Sequence, residues 1–293
     1  MAGTRYAYVK AFERPDPLLP NTFIVCRVDG HAFHRFTEVH GFEKPNDVRG
    51  LSLMDRAAIA VMNEYKDIVL AFGESDEYSF LLRRSTQLYN RRESKILTTL
   101  VSHFTAAYIF YWAEYFPDTA LQYPPTFDGR LVLYPTEREA RDYFAWRQAD
   151  THINNLYNTV FWALVQQGGQ TTAEAHATLR GTVSSQKHEI LFSRFGINYN
   201  SLDARFRKGS ILVREIDSDT ATDPTPPEAE TKEDPQPAED VGGPPTIASA
   251  SNKDSKRRSA KKRPRPKMVV RVLHEDIIGD EFWETRPGIL QED

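Results

Sequence analysis

Between Thr22 and Val28 the chain reads TFIVCRV, an apolar, β-branched run that stops at Asp29-Gly30, which predicts a buried strand ending in a turn. Leu51, Met54, Ala58, Val61, Met62 and Tyr65 then recur at helical spacing and predict an amphipathic helix. Asp67 to Phe72 (DIVLAF) and Tyr78 to Leu82 (YSFLL) flank Gly73-Glu74-Ser75-Asp76-Glu77 and predict a hairpin with carboxylates at its tip. A second helix follows, with Ile96, Leu97, Leu100, Val101, Phe104, Tyr108 and Tyr111 on one side, and Arg130 to Tyr134 (RLVLY) reads as a strand. Strand, helix, hairpin, helix, strand is the order of a ferredoxin-like βαββαβ unit, so the expected class is α+β, with helices on one sheet face.

From there to about residue 216 the pattern is mostly helical. Thr136 with Glu139 and Thr171 with Glu174 have capping-box spacing, while Gly168-Gly169, Gly181 and Gly196 are expected helix stops. Ser210 to Ile216 and Met268 to Leu273 are β-rich and are expected to pair as a C-terminal hairpin. The expected organisation is a catalytic part over residues 1–135, a helical part over 136–216, an insertion over 217–267, and a returning strand and tail over 268–293.

The insertion changes the meaning of the net charge of −4. Asp217 to Asp254 holds ten acidic residues, two lysines and seven of the 18 prolines, whereas Ser255 to Lys267 holds eight Lys or Arg and no acid. Such a stretch is expected to be a disordered loop, because it has too little apolar surface to offset its ordering entropy. Lengthening a surface hairpin in this way costs little, since closure entropy rises only logarithmically. Its basic half reads either as a nuclear-import address or RNA tether, or as a plain solvated run.

One cysteine, Cys26, excludes an intrachain disulfide framework and any multi-cysteine zinc site. Polar Thr98, Thr99, Ser102, His103 and Thr105 break the stretch from Ile96 to Ala113, so no membrane span is expected. Early charges at Arg5, Lys10, Glu13 and Asp16 argue against a secretory leader, and a cytoplasmic or nuclear location follows as an expectation.

In a βαββαβ unit the first strand lies beside the hairpin, so Asp29 and Asp76 are expected to be neighbours. Two adjacent carboxylates repel unless a cation lies between them. Mg²⁺ suits the pair, because it takes one or two carboxylates together with waters and substrate phosphates. Gly30, lacking Cβ, would let backbone and a triphosphate come close. The pattern is that of two-metal phosphoryl or nucleotidyl transfer, one ion activating a nucleophile and one steadying the departing pyrophosphate. Lys44, Arg91, Arg92 and Lys95 are candidate phosphate grips, with Arg91 and Lys95 at i, i+4. On spacing alone the bland reading stays open: Asp-Gly is a common turn and Ser-Asp-Glu a common polar tip.

The strings YVKAFE (Tyr8 to Glu13), LLPNTFIVCRVDG (Leu18 to Gly30), FEKPND (Phe42 to Asp47), SDEYSF (Ser75 to Phe80), FDGR (Phe127 to Arg130), HINNLYNT (His152 to Thr159), INYN (Ile197 to Asn200) and RKG (Arg207 to Gly209) resemble the eukaryotic tRNA-histidine guanylyltransferases. The resemblance runs from about residue 5 to Trp283, apart from the insertion. It implies an enzyme that adds a guanosine to the 5′ end of tRNA-His from ATP and GTP, opposite to the direction of ordinary polymerases. It also implies a catalytic sheet similar to a polymerase palm and to class III nucleotide cyclases, two Mg²⁺ per active site, and a homotetramer. By the same resemblance Asp29, Gly30 and Asp76 hold metal, and Asp29 and Asp76 are catalytic. Gly30, His31, Ala32, Phe33 and His34 with Ser75 cradle a nucleotide near Lys44, Asp47, Arg92 and Lys95, while His152, Asn155, Lys187, Asn198 and Lys208 handle tRNA. His31-Ala32, His188 and Ser201 depart from the family pattern.

Two other classes fit the same residues: a cyclase acting on GTP without RNA, and an RNA-binding scaffold without catalysis whose basic tract supplies salt-sensitive affinity.

Overall fold

A computed structural model describes residues 4–217 and 268–291. The acidic and basic insertion expected over 217–267 lies outside the described residues apart from Asp217. Of the described residues, 4–215 and 270–291 group as one compact unit.

Six strands form one sheet: β1 (Phe23–His31), β2 (Ile68–Glu74), β3 (Glu77–Leu82), β4 (Thr126–Tyr134), β5 (Ser210–Ile216) and β6 (Met268–Leu273), in the order β4-β1-β3-β2-β5-β6. The helices are α1 (Phe33–Val39), α2 (Val48–Glu64), α3 (Glu93–Phe110), α4 (Trp112–Tyr115), α5 (Glu137–Gln166), α6 (Thr172–Leu179), α7 (Ser184–Phe195), α8 (Ala204–Lys208) and α9 (Asp280–Glu284). The chain is α+β, and β1 pairs antiparallel with both β3 and β4.

The boundary that differs most from expectation is the end of β1. Asp29 and Gly30 do not turn; they stay in the ladder, Asp29 opposite Glu77 on one side and Asp128 on the other, Gly30 opposite Phe127. The pairing with β4, which starts four residues before Arg130, carries the strand on to His31. The turn comes at Ala32, whose φ of 53° is left-handed. Helix α1 follows, a seven-residue piece that buries Phe33 and Phe36 and is too short to announce itself by periodicity. The hairpin tip likewise shortens to Ser75-Asp76, because Glu74 and Glu77 pair with each other.

Successive β1 side chains alternate between faces. Ile24, Cys26 and Val28 enter a core closed by α2 and α3, through Leu53, Ala57, Val61, Ile96, Leu100 and Phe104. Phe23 and Val25 enter a second core against Ala140, Tyr143 and Phe144 of α5, so the sheet is covered on both faces rather than one. The far half of α5 builds a third cluster with α6 and α7 through Leu156, Val160, Leu164, Leu179 and Leu191.

Thr171 and Glu174 form the reciprocal capping box, whereas the Thr136 hydroxyl accepts from Arg138 N instead and pairs with the Glu139 side chain. No helix among the described residues is long and apolar enough to cross a membrane.

Candidate functional site

Asp29 stands where β1 turns from apolar to charged, and Asp76 stands at the β2–β3 tip beside it. Gly30 N donates to Asp76 O at 3.0 Å, which locks strand end to hairpin tip. A Cβ on Gly30 would lie 2.4 Å from the Phe33 ring and 2.8 Å from Asp76 Oδ2, so only glycine fits between them. Ser75 holds a positive φ of 48° next to Asp76, and Ala32 one of 53° just past Gly30. Left-handed backbone at two non-glycine residues, one adjoining Asp76 and one three positions after Asp29, is the kind of strain that gathers at functional sites.

Behind these carboxylates runs a chain of charges. Arg27 Nη2 contacts Asp29 Oδ2 at 2.7 Å and also donates to Glu77 Oε2. Arg147 of α5, buried with its guanidinium 3.4 Å from the Trp146 ring centroid, donates to Glu77 Oε2 at 3.1 Å and to Asp150 Oδ2 at 2.7 Å. Burial pushes the Asp76 carboxyl up to about 6, with the Asp29 and Glu77 charges adding to the rise. Burial likewise pushes Glu74 up to about 7, against a Thr151 hydrogen bond that works the other way.

Asp29, Glu74 and Glu77 are paired with Arg27 and Arg147 and Asp76 forms no ion pair among the described residues, so the four carboxylates outnumber these cations, a local excess of negative charge that a divalent cation would relieve. The donor set fits a hard cation: Asp29 and Asp76 carboxylate oxygens with the Gly30 backbone between them. No group of three or more His, Cys, Asp or Glu among the described residues makes a protein-only cage. A two-carboxylate site completed by waters and phosphate oxygens is the ordinary form of Mg²⁺ binding.

Asp76 and Ser75 line two adjoining cavities. The first, about 280 Å³, is walled by Phe33, Phe42, Met54, Tyr108 and Trp162, with His34, Lys44 and Asp47 among its polar groups. The second, about 370 Å³, adds Asp29, Arg27, Glu74, Glu77, Asn155 and Arg205. Lys44 Nζ donates to Thr37 Oγ1 at 3.2 Å and sits 6.0 Å from the Trp162 ring centroid. Asp47 caps α2, accepting from Arg49 N and Gly50 N; its carboxyl is lowered because these bonds and Arg49 outweigh its burial.

The remaining candidates lie outside both cavities. His31 and Ala32 are exposed at the strand end, and Arg92 pairs with Asp16 at 3.1 Å next to exposed Lys95 in the first turn of α3. Arg91 is not a phosphate grip: its side chain is buried against the carbonyls of Leu19, Thr22, Arg84 and Thr86, in a separate turn that removes the i, i+4 relation to Lys95. His152 packs against His188 and Tyr199, and burial lowers its pKa, helped by His188 and Arg207. Lys187 Nζ donates to Thr182 O at 2.7 Å, Asn198 Oδ1 accepts from Asn200 N, and Lys208 O accepts from Gln148.

Sequence reasoning missed several cavity residues. Thr151, Asn154 and Asn158 line the second cavity from α5 beside the expected Asn155, the four at i, i+3, i+7 and i+4, a polar stripe that helical periodicity could have found. Arg27 was visible as the one charge inside TFIVCRV. Arg205, which salt-bridges buried Asp55 from α8, carried no local signal.

Residues 6–135 match the family model described as tRNAHis guanylyltransferase, and residues 138–279 match the one for its C-terminal domain. A curated Dictyostelium discoideum protein named probable tRNA(His) guanylyltransferase is 50% identical over 99% of both chains. The crystal structure of the Saccharomyces cerevisiae tRNA(His) guanylyltransferase aligns at 48% identity and a TM-score of 0.69, covering 71% of this chain and 93% of that one. A bacterial tRNA(His) guanylyltransferase-like protein in complex with ATP aligns at 25% identity and a TM-score of 0.59, covering 70% and 85%. Matched along nearly its whole length, with a carboxylate pair beside a side-chain-free strand position and two cavities, the chain belongs to the tRNA(His) guanylyltransferase family.

Proposed function

We propose that the protein adds a guanosine to the 5′ end of tRNA-His, running 3′-to-5′, on a palm-like, ferredoxin-type sheet. The observation that supports it most is that Asp29 and Asp76 line one cavity, with Gly30, next to Asp29 in the strand, packed tightly against Asp76, in a chain belonging to this family. The tRNA 5′-monophosphate attacks the α-phosphorus of ATP and pyrophosphate leaves. The 3′-hydroxyl of GTP then attacks the activated 5′-phosphate and AMP leaves, after which pyrophosphate is removed from the added nucleotide. Asp29, Asp76 and the Gly30 carbonyl would hold two Mg²⁺, which when bound supply charge neutralisation at phosphorus and a more acidic nucleophile.

The residues of the chain do the binding and orienting. Gly30 to His34 and Ser75 take the nucleotide, with Asp47 beside it, and Lys44, Arg92 and Lys95 oppose phosphate charge. Arg27 orients the Asp29 carboxylate by contacting its Oδ2. His152, Asn155, Lys187, Asn198 and Lys208 contact tRNA, which assigns residues 1–135 to catalysis and 136–216 to tRNA handling. The working form is a homotetramer in the cytoplasm or nucleus.

The test is incubation of purified protein with 5′-labelled tRNA-His transcript, ATP, GTP and Mg²⁺. A one-nucleotide extension that needs both nucleotides, and that fails on a transcript with a changed anticodon, is the expected result. A cyclic product from GTP without RNA, or no turnover despite RNA binding, would overturn it in favour of a cyclase or a scaffold.

A further inference from the structure

Tyr108 is completely buried on α3, its ring packed against Phe33, Phe36, Trp112 and Phe127 at centroid distances of 5.9, 6.2, 6.1 and 5.5 Å. Its hydroxyl has no hydrogen-bond partner in the protein. The other buried side-chain atoms without partners among the described residues are arginine Nε atoms, on guanidinium groups that bond through their remaining nitrogens. Tyr108 has no such second donor, and a buried hydroxyl left unpaired calls for an explanation.

The cavity supplies one. Tyr108 lines the 280 Å³ space together with Asp47 and Asp76, and both carboxylates act on its phenol electrostatically. Burial first, then these two charges, keep the phenol protonated, so the hydroxyl is a donor. Around it the walls are flat and apolar, formed by Phe33, Phe42 and Met54, and Lys44 stands among the polar groups. That lining suits a planar heteroaromatic ring with a charged phosphate tail.

We propose that the Tyr108 hydroxyl donates a hydrogen bond to an acceptor on the base or sugar of a nucleoside triphosphate seated in this cavity. The inference rests on the nucleotide-binding reading above and adds to it a substrate-contacting residue that is unpaired until substrate arrives. Its consequence is a separation of stability from binding: the hydroxyl contributes nothing to the free protein and discriminates only when the nucleoside is present.

The test is Tyr108→Phe, which keeps the ring and removes only the hydroxyl. Calorimetric titration of the full chain with ATP, GTP and inorganic triphosphate in Mg²⁺, alongside thermal melting, reads both halves of the claim. The Kd for the nucleotide that fills the cavity should rise about five- to tenfold, the worth of one neutral hydrogen bond. Inorganic triphosphate should bind as before, and Tm should stay level or increase. Unchanged Kd for both nucleotides overturns the proposal, as does an equal loss for inorganic triphosphate, which would put the hydroxyl on phosphate. A fall in Tm of several degrees also overturns it, because the hydroxyl would then be paired in the free protein. Wild-type protein that binds neither nucleotide overturns this inference and the functional reading together, whereas a wild type that binds and a variant that matches it overturns this inference alone.

Discussion

The two faces of β1 are built from alternate residues of one strand, yet they do opposite things. Ile24, Cys26 and Val28 remain apolar along the whole α2–α3 face, and Cys26 is so enclosed that burial pushes its thiol up to about 12. On the α5 face Phe23 and Val25 give way to Arg27 and Asp29. Helix α5 changes at the same height, from Ala140, Tyr143 and Phe144 to Arg147, Thr151 and Asn155. One face keeps the sheet assembled; the other stops contributing apolar area where the chemistry begins. The charged end is held by paired arginines, whose ion pairs fix geometry rather than add much stability.

The sharpest way to break this comparison is Asp29→Ala. It should lower guanosine addition to tRNA-His by at least about a thousandfold, while circular dichroism and Tm remain close to wild type; activity that survives would remove the charged end from the mechanism. On the opposite face Phe104→Ala should do the reverse. Urea unfolding should show a loss of about 3–5 kcal/mol, with turnover per folded molecule preserved at low temperature.

Arg91 and Arg92 sharpen the same contrast between neighbours. Arg91→Met strands the carbonyls of Leu19, Thr22, Arg84 and Thr86 and should cost about 3 kcal/mol in urea. Arg92→Ala removes only an exposed pair with Asp16 and should cost less than about 1 kcal/mol. Its loss should instead appear in turnover.

Asp76 and Glu74 give a pH signature. Both carboxyls are raised by burial, Asp76 to about 6 and Glu74 to about 7, so the folded protein binds more protons than the unfolded chain between about pH 4 and 7. Stability of metal-free protein should therefore fall as pH rises through that window and be lowest above it. Asp76→Asn should make the protein about 2 kcal/mol more stable at pH 8 and inactive, with no gain at pH 4; a variant less stable at pH 8 would contradict the sign. The smallest effect expected is from Thr171→Ala, about 1 kcal/mol, through loss of the capping box far from either face.

Much of the first half of the chain was legible because its apolar runs alternate or recur with a clean period. The β1–α2–β2–β3–α3–β4 sequence could be read from TFIVCRV, DIVLAF, YSFLL and RLVLY and from the two helical stripes between them. What could not be read were the places where pairing overrides local chemistry. Asp29-Gly30 looks like a turn, yet cross-strand bonds to β3 and β4 hold it extended. Arg91 looks like a surface cation, because two of the four carbonyls it satisfies, those of Leu19 and Thr22, belong to a segment far away in the chain. The neighbouring of Asp29 and Asp76 was legible from topology, but Arg147 behind them and Arg205 in the adjoining cavity wall depend on where α5 and α8 come to rest.

The Gln148 amide donates to the carbonyls of Lys208 and Glu275 at 2.9 Å each, and its oxygen accepts from Ile277 N at 2.9 Å. The polypeptide on either side of residues 218–267 is thereby tied to one side chain of α5, in addition to the pairing of β5 with β6. The tie runs through α5 itself, so the end of α8 is anchored next to the cavity that Arg205 and Gly209 line, by a helix that also carries Arg147 and Asn155 to the same carboxylates.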